Sequence, residues 1–134
     1  MPTKETERTY RGIESDTCEA LCVVAPEFNL MGLTAEAFDC SRDRTFRVRV
    51  TLVNPYDSVI ESVVPFEYAK ARFLIRDQGA ARALLASILI GMEGVPDNVR
   101  DAADAFRITW RKQLRHHFRV SQAVAEWFSF KEVE

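Results

Sequence analysis

Residues 80–92 constrain this chain more than any other stretch, because only Arg82, Ser87 and Gly91 interrupt a run of Ala, Leu, Ile and Met. At the α-helical repeat, Ala81, Leu84, Leu85, Ile88, Leu89 and Met92 fall on one face, and Ala83, Ala86 and Ile90 make a second apolar face. A helix apolar on nearly every side belongs inside, and the expected arrangement is a sheet on one side and another helix on the other. Asp77 is placed to cap its start, and Gly91 or Gly94, with Pro96 behind, to end it. The run is well short of the roughly 20 residues that a membrane-spanning helix needs.

The clearest strand is residues 45–53, where Phe46, Val48, Val50 and Leu52 alternate with Thr45, Arg47, Arg49 and Thr51. One face is core and the other is wet. Asn54, Pro55, Tyr56 and Asp57 supply turn chemistry, and residues 58–64 read as a further strand that Pro65 interrupts at a sheet edge or bulge. Residues 67–75 read as another strand, with Ala69, Ala71, Phe73 and Ile75 on one face. Residues 34–39 fit either a short helix capped by Thr34 or a strand, and residues 29–32 a turn. The pattern over residues 10–28 is weak, and residues 20–25 before Pro26 read best as a buried strand.

A second helix starts at Asp97 or Asn98, with acidic residues suited to its first turns. Val99, Ala103, Phe106, Trp110, Leu114 and His117 share an arc, and Arg100, Arg107, Arg111, Lys112, Arg115 and Arg119 form a basic arc beside it. Ile108 lies about 180° from Val99, amid the basic residues. Residues 120–128 read as a short terminal helix, with an edge strand over 127–133 as the alternative.

The resulting expectation is one compact α+β domain over residues 1–134. An antiparallel sheet of three to five strands is covered on one face by two main helices, about 78–92 and 98–118, with a short C-terminal element closing the core. At 134 residues and 47% hydrophobic content the chain suits a single core. Residues 1–8, polar and charged, read as a disordered lead-in. They show neither a basic n-region nor an apolar run, which together with the unspanning apolar stretch predicts a cytoplasmic protein without membrane contact.

Three cysteines are an odd number, which favours free thiols over a disulfide framework. Cys18, Cys22 and Cys40 with adjacent His116 and His117 make poor zinc geometry, since neighbouring helical histidines point about 100° apart. No metal site or cofactor motif is predicted. There is no Gly-x-Ser-x-Gly elbow and no phosphate-cradling Gly-rich loop, so no catalytic residues are assigned and the chain reads as a non-enzyme.

Charge is uneven along the chain: residues 1–40 hold three basic and eight acidic side chains, and the remainder fifteen and twelve. Arg107, Arg111, Arg115 and Arg119 form the strongest candidate for partner binding, because no acid interrupts the sequence between the first and the last. The competing reading is a solvated helix face, or one covered by the acidic first 40 residues. Arg47 and Arg49 make a second basic patch, and Trp127 and Phe128 a C-terminal aromatic anchor if they are not core. These features predict a small protein-binding module, an inhibitor or adaptor that occupies a partner's surface, of a kind encoded by phages or other mobile elements. The partner expected is a protein or nucleoprotein with an acidic surface, and a homodimer is compatible. The alternatives are a nucleic-acid-binding accessory protein using the Arg-rich face, and a small enzyme with an unrecognised site.

Overall fold

The computed structural model describes residues 4–41, 44–54 and 56–113, the side chains of 4–7 and 110–113 excepted. Among these residues the fold is α+β. Helix α1 (Lys4–Val24) leads through a 3-10 turn (Ala25–Phe28) into strands β1 (Thr34–Ser41), β2 (Thr45–Val53) and β3 (Val59–Glu67), followed by helices α2 (Tyr68–Arg76), α3 (Gln78–Gly91) and α4 (Asp97–Gln113). The sheet is antiparallel throughout, in the order β1-β2-β3.

The alternation in β2 sets the sheet's two faces. Phe46, Val48, Val50 and Leu52 are all buried, and in register beside them lie Phe66, Val64, Ser62 and Ile60 of β3. Arg47 and Arg49 point to the other, wet face. Pro65 does not end β3: it stands opposite Arg47 within the ladder. An edge strand tolerates a residue that cannot donate, because its outward N–H has no partner strand. On β1 the register shifts between Phe38 and Ser41, where Asp39 takes φ 53° and forms a bulge.

Three segments differ from the sequence expectation. Residues 20–25, expected as a strand, mostly complete α1, and the expected disordered lead-in is helical from Lys4 onward. Buried Ile13, Thr17, Leu21 and Val24 form a stripe at helical spacing. Thr17 and the neighbouring Glu14 interrupt its apolar signal. Thr17 Oγ1 donates to the Ile13 carbonyl at 2.6 Å, so its hydroxyl is satisfied within the helix. Of residues 67–75, expected as a strand, Glu67 ends β3 and the rest lie in α2. Its buried residues are Tyr68, Ala71 and Leu74, spaced by three, so the helical period overrides an alternation of similar quality.

Helix α3 is buried nearly all round, as its composition requires: Ala80, Ala81, Ala83, Leu84, Leu85, Ala86, Ile88 and Leu89 are all inaccessible or nearly so. Asp77 caps it, its Oδ1 accepting from the Ala80 N–H at 3.2 Å. Its close neighbours are α4 and α1, with α2 at its start. The long helix that lies along β1 is therefore α1, a third major helix beyond the two expected. After α3 the chain turns at Gly94, where φ is +84° and an added Cβ would sit 3.2 Å from the Ile60 side chain. That approach brings the α3–α4 connection to the end of the sheet where β2 turns into β3. Among the described residues no helix is long and apolar enough to cross a membrane.

Candidate protein-binding surface

The arginines marked by the sequence are, where described, engaged locally. Arg47 Nη1 lies 3.4 Å from Asp39 Oδ2, and Arg49 Nε lies 3.7 Å from Glu61 Oε2. Both guanidinia also pass over the Phe38 ring, at 5.8 and 4.6 Å from its centre. On α4, Arg107 Nη2 pairs with Asp104 at 3.3 Å, while Arg100 Nη2 donates to the Met92 carbonyl at 2.8 Å. The Nε atoms of Arg100 and Arg107 are buried without a hydrogen-bond partner among the described residues, so these side chains lie against the helix instead of reaching outward. The Arg111 side chain, and Arg115, Arg119, Trp127 and Phe128 altogether, lie outside the described residues.

The three cysteines converge between α1 and β1, all half-buried and none in a disulfide among the described residues. Burial pushes the Cys18 thiol up from its ordinary 9.0 to about 11, with the nearby Cys22 sulfur adding to the effect. Burial likewise raises Cys22, whose Sγ faces the Leu33 carbonyl at 3.8 Å. Thiols held protonated in this way are poor nucleophiles and poor metal ligands. Among the described residues no group of three His, Cys, Asp or Glu is placed to hold a metal ion. His116 and His117 lie outside the described residues.

Two of the grooves that open among the described residues bear on the site. One, of about 280 Å³, runs between α1 and the α2–α3 junction, with Asp16 and Glu19 over Ala20, Leu74 and Ala81. The other, of about 430 Å³, lies at the hairpin end of the molecule, between Leu30 and Met31, Leu52 and Val53, and Pro96 and Val99. The second is set apart by what surrounds it. Met31 is 89% exposed, Tyr56 87%, Val59 67% and Val53 57%. Val53 and Val59 are directly paired across the strands, and Val53 lines the groove together with Met31, so exposed apolar residues gather at this end of the sheet.

The hairpin that presents Tyr56 is tightly wired. Asn54 N–H donates to the Ser58 carbonyl and Asp57 N–H to the Asn54 carbonyl, both at 3.0 Å. Asn54 Oδ1 accepts from the N–H groups of Tyr56 at 2.9 Å and Ser58 at 3.0 Å, an Asx arrangement that closes the turn from within. Asp57 takes the left-handed conformation at φ 60°, which Asp adopts more readily than most residues. The turn itself was readable from its Asn, Pro and Asp. The prominence of Met31 and Tyr56 was not, since isolated apolar residues in turns carry no signal of what lies beside them.

Comparison with protein-family models, with curated proteins and with solved structures finds no match to this chain.

Proposed function

We propose that the protein is a cytoplasmic, non-enzymatic protein-binding module, an inhibitor or adaptor that occupies a partner's surface with its hairpin end. The observation that carries this reading is Tyr56, 87% exposed at a turn fixed by four hydrogen bonds, with exposed Val53 and Val59 on the strands that the turn joins and exposed Met31 lining the same groove as Val53. Tyrosine and methionine are enriched at interface centres, and a side chain presented on a rigid turn loses little entropy on binding. A nucleic-acid role finds less support, because Arg47, Arg49 and Arg107 are each offset by a carboxylate within 4 Å. Recognition of an acidic surface would then fall to Arg111, Arg115 and Arg119.

The test is affinity capture from a lysate of the source organism, with and without nuclease, using the wild-type chain and a folded Met31→Ser/Tyr56→Ser variant as bait. A protein retained through nuclease treatment by the wild type, and reduced about tenfold or more with the variant, is the expected result. Equal capture by both baits, or capture that nuclease abolishes, would contradict the reading.

A further inference from the structure

We infer that the partner surface is cationic around an apolar centre, with Lys or Arg side chains ringing the site that receives Tyr56 and Met31. The inference rests on the protein-binding reading and adds the chemistry of the partner. Three chain segments build the hairpin end: residues 29–33, 51–60 and 92–100. Their charged side chains are Asp57, Glu93, Asp97 and Arg100. The three carboxylates are on exposed residues. Arg100 is half-buried, and its Nη2 is held at 2.8 Å by the Met92 carbonyl, at the C-terminal end of α3.

Position makes the acids a rim. Asp57 follows Tyr56 and is bonded through its N–H to Asn54, which lines the groove. Asp97 stands between Pro96 and Asn98, which both line it. Glu93 precedes Gly94, where an added Cβ would meet the Ile60 side chain of β3. Asp97 lies in the first turn of α4, where the helix N-terminus offsets part of its charge. Asp57 and Glu93 have no such compensation from a helix end. A neutral or acidic partner closing over this apolar surface would strip water from carboxylates and give nothing in return. A partner carrying Lys or Arg at the rim would gain complementary pairs and faster encounter, with binding weakened by salt.

The probe is a random displayed dodecapeptide library selected against the full immobilised chain. Selected peptides are expected to carry two or more Lys or Arg around an aromatic or aliphatic core. They should lose about tenfold or more in affinity for Met31→Ser/Tyr56→Ser. They should also lose roughly tenfold for the neutralised variant Asp57→Asn/Glu93→Gln/Asp97→Asn, or when salt rises from about 50 to about 500 mM. Asn at position 57 keeps a residue tolerant of positive φ, so the hairpin survives the change. Neutral or acidic peptides that lose affinity for the apolar variant but not for the neutralised one would overturn the cationic rim and leave the protein-binding reading standing. Peptides indifferent to both variants would overturn both.

A photoreactive p-benzoylphenylalanine in place of Tyr56 identifies other occupants. Crosslinking to a second copy, or within one chain to residues 114–134, would also overturn the inference.

Discussion

The Tyr68 hydroxyl donates to Glu14 Oε2 at 2.5 Å, a bond between residues 54 positions apart that joins the start of α2 to the middle of α1. Both residues are almost fully buried. The Tyr68 ring in turn packs on Tyr10 and Phe46, at 4.8 Å between centres in each case, and Phe46 stacks on Phe66. An aromatic row thus runs from α1 through α2 into the sheet, with the carboxylate as its polar tie. Tyr68→Phe keeps the ring and removes the donor from a buried carboxylate, so unfolding in urea should show a loss of about 1 to 3 kcal/mol. A loss below about 0.5 kcal/mol would mean that other donors to Glu14 suffice.

Leu85 is fully buried on α3, the helix packed closely by α4 on one side and α1 on another. Leu85→Ala should destabilise by about 2 to 5 kcal/mol, since a cavity there is enclosed by helices that cannot collapse independently. A cost under about 1 kcal/mol would show that α3 does not organise the core.

Two substitutions probe the hairpin without touching its apolar surface. Asn54→Ala removes the carbonyl that accepts from Tyr56 and Ser58 and should cost about 1 to 2 kcal/mol. Asp57→Gly, at φ 60°, relieves a left-handed conformation and should be neutral or stabilising by a few tenths of a kcal/mol, backbone strain and chain entropy nearly cancelling. Hydrogen exchange at residues 54–58 separates the two: faster in the first variant, unchanged in the second.

Cys18 makes stability depend on pH at the alkaline end. Its folded thiol stands at about 11 against an ordinary 9.0, so the unfolded chain loses its proton first. The contribution is fully present below about pH 9 and is lost as pH rises from 9 towards 11. Cys18→Ser, whose hydroxyl does not titrate in this range, should flatten the decline in melting temperature across that window. Alkylation of native Cys18 at pH 8 should run on the order of 100-fold slower than that of an unhindered thiol, because its thiolate is scarcer.

What the sequence made legible follows from signal length. Residues 45–53 alternate over nine positions, and β2 occupies those positions. Residues 80–92 are apolar all round, and α3 covers residues 78–91. The helix start was placed at Asp97 or Asn98, and α4 begins at Asp97. α2 was not legible because nine residues from Tyr68 to Arg76 satisfy both periods, and tertiary packing of Tyr68, Ala71 and Leu74 decides between them. α1 was hidden because two of its buried residues, Thr17 in the stripe and Glu14 beside it, are polar, with partners that lie in the folded backbone and on Tyr68. The basic patch at Arg47 and Arg49 was legible as charge but not as neutralised charge. Asp39 reaches Arg47 from across the β1 bulge, and Glu61 reaches Arg49 from β3.

The hairpin end as the contact surface is tested most directly by hydrogen exchange of the full chain alone and with the partner that affinity capture yields. Binding there should slow exchange at residues 30–33, 53–59 and 93–99, the three segments around the groove of Leu30, Val53 and Val99. Protection confined to residues 107–119, with those three segments unchanged, would contradict the hairpin-end account and return the contact to the Arg-rich helix.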